Sequence, residues 1–349
     1  GKWEEALAEY DGAVEAGPQY ADAWYRRGVA QSRLGDDALA IKHYDEAIRL
    51  DVSHASWFLD RGVSNFKLGR NQRSVDDLSQ AILLDPEMGR AYGHRGNAYG
   101  KMGQLDRALS DFDLAIRLEP GDDEYHRVRG IAYLNLGNSA KAIEDFDESI
   151  KLNPDSDLTY YFRGTVRRSL GELQAAIADF DRATRIRPDY AEAFTQRAIT
   201  LGFLQQYEQA IADFDKAIEL DPGQAAAYNG RGSALVAMGS YQPAIADFDE
   251  AVRISPKFAG AYANRADAYI RLGLVDRAVD DLDEAILLDP NSLGAFVNRA
   301  IVNAMLGRPA AARSDIQRAQ ELGLDEETLN ELLDLLVESN PTDGAPSGP

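Results

Sequence analysis

Apolar residues recur along the chain with the period of an α-helix, in pairs of segments that a glycine separates. In residues 89–122, Tyr92 and Gly96 lie on one face of a first predicted helix, and Phe112 lies on the apolar face of a second. Apolar groups at intervals of three and four residues are typical of amphipathic helices. Gly103 separates the two segments, and glycine is common after a helix end because it adopts the left-handed conformation easily. The pattern predicts a hairpin of two helices.

The same pattern recurs every 34 residues. Such a period is typical of proteins in which neighbouring hairpins stack on one another. A glycine stands at every predicted turn except one, where Gln205 must either adopt the left-handed conformation or change the turn. The turn glycines are Gly1, Gly35, Gly69, Gly103, Gly137, Gly171, Gly239, Gly273 and Gly307. A proline closes most copies, at Pro86, Pro120, Pro154, Pro188, Pro222, Pro256 and Pro290.

This period divides most of the chain into predicted repeats. Residues 1–20 form a partial repeat that holds only a second helix, so we expect the chain to begin within a repeat whose first helix precedes Gly1. The nine full repeats that follow, within 21–326, are 21–54, 55–88, 89–122, 123–156, 157–190, 191–224, 225–258, 259–292 and 293–326.

The C-terminal end departs from the repeat. Residues 325–339 are predicted to form a helix that caps the last repeat, with an apolar face toward it and carboxylates facing solvent. The apolar face consists of Leu329, Leu332, Leu333, Leu336 and Val337. Residues 340–349 contain prolines and glycines but no large apolar group, so they are predicted to be disordered.

The repeated residues resemble those of a known family. An aromatic residue, a small residue, a turn glycine, an alanine and a proline recur at fixed positions, as at Tyr92, Gly96, Gly103, Ala108 and Pro120. This pattern closely resembles the tetratricopeptide repeat (TPR), from residue 1 to about residue 324. The resemblance implies an all-α fold, a right-handed superhelical solenoid of helix-turn-helix repeats with a C-terminal capping helix. It also implies that the first helices line a concave groove for proteins or peptides.

Composition narrows the functions further. The chain has 37 lysines and arginines against 58 aspartates and glutamates, a net charge of −21. Such a chain repels phosphate backbones and anionic lipids, so we predict no nucleic-acid partner and no direct membrane contact. The absence of cysteine excludes disulfides and thiolate metal sites. Neither the compartment, cytoplasmic or exported, nor the oligomeric state follows from these residues.

The sequence shows no constellation that predicts catalysis. The four histidines fall at different repeat positions, and no two have the i, i+4 spacing of a helical metal site. The carboxylates recur at fixed repeat positions, whereas a catalytic pair requires a shared cleft that shifts pKa values. We therefore predict no catalytic residue, no metal site and no cofactor.

Arginine is the most regular charge. It stands one residue before the small position in all nine repeats, where the TPR family more usually has leucine. Aspartates recur in the second helices, as in the segment 111–113. A ladder of ion pairs between helices is the favoured interpretation, since residues that read a ligand should vary between repeats; a ligand-binding row is the alternative. The arginines are Arg27, Arg61, Arg95, Arg129, Arg163, Arg197, Arg231, Arg265 and Arg299.

The groove implied by the resemblance is lined by the second, fifth, sixth, ninth, twelfth and thirteenth residues of each repeat. These positions hold eight cations and five carboxylates, and seven of the cations lie in the first five repeats. Arg33, Lys67 and Lys101 share the thirteenth position, so we expect them side by side. The candidate groove residues are Tyr25, Arg26, Val29, Arg33, Val63, Phe66, Lys67, Arg90, Lys101, Arg127, Ile131, Leu134, Tyr161, Phe162 and Arg168.

This composition suits a protein or peptide ligand with acidic and apolar side chains. A merely solvated basic surface is the alternative. The favoured function is a non-enzymatic scaffold or adaptor that binds a protein segment in its groove. Two other functions stay open: the recognition domain of a larger enzyme, such as a glycosyltransferase or a signalling protein, and an exported or membrane-anchored assembly factor. The segment that precedes Gly1 would distinguish them.

Overall fold

The computed structural model describes the backbone of residues 2–339 and the side chains of residues 2–334. Over residues 2–339 the chain forms 20 helices and no strand. This confirms the predicted all-α fold. Gly1 and residues 340–349 lie outside the described range, and so does the prediction that this tail is disordered.

The chain folds into two compact units, one that ends at Val166 and one that begins at Arg167. The helices of the first unit are α1 (Lys2–Ala16), α2 (Ala21–Arg33), α3 (Asp37–Leu50), α4 (Ala55–Lys67), α5 (Asn71–Leu84), α6 (Gly89–Lys101), α7 (Leu105–Leu118), α8 (Asp123–Asn135) and α9 (Ser139–Leu152). Helix α10 (Asp157–Ser169) contains the boundary between the units. The second unit continues with α11 (Leu173–Ile186), α12 (Ala191–Phe203), α13 (Tyr207–Leu220), α14 (Ala225–Ala237), α15 (Tyr241–Ile254), α16 (Ala259–Arg271), α17 (Val275–Leu288), α18 (Leu293–Met305), α19 (Pro309–Glu321) and α20 (Glu326–Ser339).

Consecutive helices pack as hairpins because a small residue on the first helix admits a large one from the second. In the pair α6 and α7, a Cβ added to Gly96 would lie 2.6 Å from the ring of Phe112. In the second unit, the same relation holds between Gly232 of α14 and Phe248 of α15, at 2.7 Å. Both rings are buried. Within each unit, the first helices of successive hairpins also contact one another, α2 to α8 in one and α12 to α18 in the other.

The turn inside each hairpin uses a residue in the left-handed conformation. The φ angle is 74° at Gly137 and 59° at Gln205. The amide of Gln205 donates to the carbonyl of Gly202 at 2.9 Å, and the amide of Gln206 donates to that of Leu201 at 3.0 Å. This bonding is the Schellman pattern that ends many helices. Gln205 therefore accepts the left-handed conformation, and the turn is not rebuilt around it.

The repeated arginines form ion pairs between second helices. Arg197 binds Asp181 of α11 and Asp213 of α13, each at 2.6 Å, and its guanidinium lies 5.2 Å from the ring centre of Phe194. The partners lie 16 residues before and after the arginine. The same double pairing occurs at Arg61 with Asp45 and Asp77, Arg129 with Asp113 and Asp145, Arg231 with Asp215 and Asp247, Arg265 with Asp249 and Asp281, and Arg299 with Asp283 and Asp315. We call this network the arginine–aspartate ladder.

The ladder changes at its first position. Arg27 pairs with Asp11 at 2.5 Å, but the residue 16 positions after it is His43, which is buried against the ring of Trp24. Burial and the nearby charge of Arg27 lower the pKa of His43 from 6.5 to about 4. The imidazole is therefore neutral at pH 7, and Arg27 has one carboxylate partner where the other arginines named above have two.

Helix α20 packs on the last hairpin. Leu332 is buried and Leu329 is partly buried against α18 and α19, whereas Leu333 is 43% exposed. The prediction that Leu333 belongs to the apolar face is therefore wrong, because it lies one residue beyond Leu332 and so about 100° around the helix. The side chains of residues 335–339 lie outside the described range.

Candidate functional site

A cavity of about 260 Å³ opens among the first helices of the first unit, and we call it the basic cavity. Arg33 of α2, Lys67 of α4 and Arg90 of α6 contribute three cations to its lining, and Asp60 contributes one carboxylate. The other lining residues are Val29, Ser32, Tyr44, Val63 and His94. Five of the predicted groove residues thus meet in one cavity: Val29, Arg33, Val63, Lys67 and Arg90.

Asp60 is the one carboxylate in the lining of the basic cavity. The hydroxyl of Tyr25 donates a hydrogen bond of 2.8 Å to its Oδ2, and the Tyr25 ring stacks on Trp57 at 5.4 Å. Burial raises the pKa of Asp60 above its usual range, although the Tyr25 hydrogen bond and the cations of the cavity oppose this effect. Burial also raises the pKa of Tyr25, so its hydroxyl stays a donor.

His94 adds no charge to the basic cavity at neutral pH. Burial and the nearby charge of Arg90 lower the pKa of this histidine below its usual range. The lining therefore carries three positive charges and one negative charge in a chain whose net charge is −21. An anionic group gains from this local reversal of charge, because elsewhere the protein repels it.

The three cations have different roles. Lys67 binds buried Asp37 through its Nζ at 3.2 Å, and Asp37 also accepts hydrogen bonds of 2.8 Å from Ser32 and Ser64. Lys67 is thus part of a structural network at the start of α3. The guanidinium of Arg33 lies over the ring of Trp3, 5.9 Å from its centre. Arg90 and Arg33 are exposed.

Lys101 does not line the basic cavity with Arg33 and Lys67, so a single basic row of all three stays a prediction. It lines a separate cavity of about 300 Å³ in the first unit, together with the predicted groove residues Phe66, Ile131 and Phe162. The remaining lining residues are Asn97, Gly100, Leu105, Phe112, Val128, Ala132 and Asn135. Only one side chain in this lining, that of Lys101, is charged.

The other predicted groove residues of the first unit have local partners. Arg26 pairs with Asp22 at 2.6 Å, and Arg127 lies 3.5 Å from Glu124. Leu134 packs against a buried cluster of the first unit, and Tyr161 lies edge-on to Phe162 at 5.4 Å. Arg168 is a partly buried residue of the second unit.

The sequence did not predict a third cavity, of about 510 Å³, in the second unit. No lining residue carries a formal charge, and we call it the apolar cavity. Its lining consists of Ala198, Ile199, Gly202, Phe203, Tyr207, Phe214, Ala226, Asn229, Gly230, Ser233, Ala234, Ala237 and Phe258. Phe203, at the end of α12, is 63% exposed. The sequence signal was the absence of cations from the groove positions of two successive predicted repeats, 191–224 and 225–258.

Polar groups occupy one wall of the apolar cavity. The side-chain amide of Asn264 donates to Oδ1 of Asn229 at 2.9 Å and lies 3.3 Å from the hydroxyl of Ser233. That hydroxyl donates to the backbone carbonyl of Asn229 at 2.9 Å. Asn229 and Ser233 thus hold hydrogen-bonding groups at the edge of an otherwise apolar surface.

Within the part of the chain that the structure describes, no three histidine, aspartate or glutamate side chains are grouped so that they could hold a metal ion. Among the described helices, none is both long and apolar enough to cross a bilayer.

Solved structures with the same architecture show the fold of the chain. A tetratricopeptide repeat protein from Parabacteroides merdae ATCC 43184 matches with a TM-score of 0.58 and 22% identity, over 71% of this chain and 98% of the other. The APC/C hetero-tetramer Cut9–Hcn1 matches with a TM-score of 0.61 and 16% identity, over 95% of this chain and 81% of the other. PilW, a type IV pilus biogenesis factor, matches with a TM-score of 0.56 and 20% identity, over 60% of this chain and 98% of the other.

Sequence comparison identifies the family. A search of curated proteins finds no match. One sequence model of the tetratricopeptide repeat family matches residues 1–55, 59–123, 94–157, 127–191 and 195–257, and a second matches residues 235–296. These matches cover most of the chain, and the helical hairpins described above have the architecture of that repeat. The chain belongs to the tetratricopeptide repeat family.

Proposed function

We propose that the chain is a non-enzymatic scaffold or adaptor that binds a segment of a partner protein through its first helices, and that an acidic side chain of this segment enters the basic cavity. The basic cavity supports this proposal most directly. It gathers Arg33, Lys67 and Arg90 from three successive hairpins. A linear segment that runs along these helices could contact all three.

The balance of charge supports an acidic ligand. Three cations and one carboxylate line a cavity whose apolar part includes Val29 and Val63. Charge complementarity raises the association rate and disfavours other partners, while apolar contacts anchor the ligand. The carboxylate of Asp60 already accepts a hydrogen bond from Tyr25 within the protein. The three cations therefore dominate the charge that a ligand meets in the basic cavity.

The repeated charges support binding rather than catalysis as the role of the fold. The ladder arginines and aspartates bind one another, so these carboxylates serve the packing of helices. The variable residues of the first helices are left to distinguish one partner from another.

Selection from a display library of random dodecapeptides tests the proposal. We expect wild-type protein to enrich peptides with aspartate or glutamate next to large apolar residues. The double variant Arg33→Glu with Arg90→Glu should bind the selected peptide at least tenfold more weakly, a change of about 1.4 kcal/mol. Its residual binding should depend less on salt. Lys67 is left unchanged, because a glutamate there would face buried Asp37.

A matched control separates local from total charge. Lys257→Glu with Arg313→Glu changes the net charge by the same amount at two exposed residues of the second unit that lie outside the groove positions. This control should retain wild-type affinity. Enrichment of basic peptides, or equal weakening by the two double variants, would contradict the proposal.

A further inference from the structure

The apolar cavity of the second unit differs from the basic cavity in volume and in charge. It has about twice the volume, 510 Å³ against 260 Å³, and no lining residue carries a formal charge. Its volume lies within the range of about 300–1,000 Å³ that is usual for ligand pockets. In a chain with a net charge of −21, an uncharged surface of this kind favours an uncharged, apolar group.

Two glycines on facing helices shape the apolar cavity, one by leaving space open and the other by admitting a ring. A Cβ added to Gly202 of α12 would have no neighbouring atom within 4 Å. At Gly230 of α14, an added Cβ would lie 2.3 Å from the ring of Phe214. This ring therefore forms the floor of the cavity where residue 230 has no side chain of its own. At the rim, Phe203 is 63% exposed. A large aromatic group is thus left in solvent beside an unfilled space.

The polar groups in the wall of the apolar cavity indicate which class of ligand presents the apolar group. Asn229 accepts a hydrogen bond from Asn264, but within the described residues its own amide nitrogen donates none. A donor at the edge of an apolar cavity suits a ligand that has an apolar side chain and a carbonyl acceptor close to it. A peptide has both groups on each large apolar residue.

We propose that the apolar cavity binds one large aromatic or aliphatic side chain of an uncharged peptide segment, and that Asn229 donates a hydrogen bond to the backbone of that segment. This inference deepens the proposed function, because it rests on the binding of protein segments and names a second class of side chain. It assigns the second unit a preference that the basic cavity does not have.

Methyl NMR tests the inference with N-acetyl-phenylalaninamide as the probe. The methyl groups of Ile199, which lines the cavity, should shift saturably, with a Kd on the order of 1 mM for a ligand of this size. N-acetyl-glutamate amide should leave these methyl groups unshifted. No saturable shift with the first probe, or equal shifts with both probes, would overturn the inference.

Substitutions of matched glycines locate the binding. Gly202→Leu should fill the cavity without a clash and weaken probe binding at least tenfold. Gly100→Leu is the control, because Gly100 has the same repeat position in the first unit and also has no atom within 4 Å of an added Cβ. It should leave the Ile199 titration unchanged. Ala237→Leu, from the other wall, gives a second blocking variant if Gly202→Leu does not fold. Unchanged binding in a folded blocking variant would overturn the inference.

Two further outcomes decide the identity of the occupant. Asn229→Ala should weaken the probe at least threefold, and no change would contradict the hydrogen bond to a peptide backbone. A shift of Ile199 with protein concentration alone would show that a second copy of this chain occupies the cavity, which overturns the inference. If Ile199 fails to respond while acidic peptides still bind the first unit, the proposed function stands and only this inference fails.

Discussion

The basic cavity of the first unit and the apolar cavity of the second lie among the same kind of helix, but they are lined by opposite chemistry. Lys67 and Phe203 are both the thirteenth residue of their predicted repeats, and one is a cation while the other is an exposed ring. The double pairing of the arginine–aspartate ladder occurs in both units, as Arg61 and Arg197 show. The residues that hold the hairpins together thus vary less between the units than those that meet a ligand.

This division of roles follows from geometry. Ladder residues face neighbouring second helices, so a change there alters packing. Cavity residues such as Arg33 and Phe203 are exposed, so a change there alters what can bind while the core stays intact.

Removal of a ladder arginine should destabilise both units alike. Arg61→Leu and Arg197→Leu each leave a buried aspartate, Asp77 or Asp213, without its cation. Each should lower the free energy of unfolding by about 3 kcal/mol, because an uncompensated buried charge is costly. Urea denaturation monitored by circular dichroism measures this loss. If only one of the two variants kept the wild-type free energy of unfolding, the ladder would contribute differently to the stability of the two units.

His43 should make the first hairpin sensitive to acid. Its pKa is lowered from 6.5 to about 4 in the folded protein, so the unfolded chain binds a proton first as the pH falls through this range. Stability that is present above pH 6.5 is therefore lost between pH 6.5 and 4, by up to about 3 kcal/mol. The charges around the imidazole are Arg27, Asp11, Asp36 and Lys42.

The variant His43→Gln measures this contribution, since glutamine does not titrate. We expect a flatter dependence of stability on pH between 6.5 and 4 than in the wild-type protein. His54→Gln serves as control, because His54 is an exposed histidine stacked on Trp57 at 4.1 Å. Equal profiles for wild type and His43→Gln would contradict the account of the first ladder position.

Two alanine substitutions in the apolar cavity should have opposite signs. Gly230→Ala places a Cβ within 2.3 Å of the buried Phe214 ring and should destabilise by about 1–3 kcal/mol. Gly202→Ala meets open space and should stabilise by about 0.5–1 kcal/mol, since alanine favours a helix. Thermal unfolding of both variants checks the order. If Gly230→Ala were as stable as Gly202→Ala, the floor formed by Phe214 would be movable.

Gln205→Gly should produce the smallest effect. Gln205 has a φ of 59° in a turn where the other hairpins have glycine. Glycine removes the steric cost of this conformation, so the variant should gain at most about 1 kcal/mol. Gly137→Gln, the reverse change in the first unit, should lose a similar amount. Loss of stability in Gln205→Gly, measured by thermal unfolding, would mean that the glutamine side chain supports the turn.

The fold could be predicted from the sequence because its signals repeat. A small residue at Gly96 and a ring at Phe112 recur in hairpin after hairpin, so each copy supports the interpretation of the others. Gln205 could be singled out for the same reason. The exposed position of Leu333 could not, because an apolar stripe does not show which of two adjacent leucines faces the hairpin.

The candidate site was predicted only in part. The basic cavity is lined by three cations of the predicted groove positions, Arg33, Lys67 and Arg90. Lys101 lines another cavity, although it has the same repeat position as Lys67. The apolar cavity was missed because much of its space comes from the absence of side chains, as at Gly202. An empty volume depends on how helices pack, and no single residue in the sequence encodes it.

The most direct test of the central claim is a methyl NMR titration of one sample with two probes. The triglutamate N-acetyl-Glu-Glu-Glu amide should shift the methyl groups of Val63 in the basic cavity, and N-acetyl-phenylalaninamide should shift those of Ile199 in the apolar cavity. Added salt should weaken the first effect and spare the second. Shifts of the same methyl groups by both probes, or no response of Val63 to the acidic probe, would contradict the claim that the two cavities select different ligands.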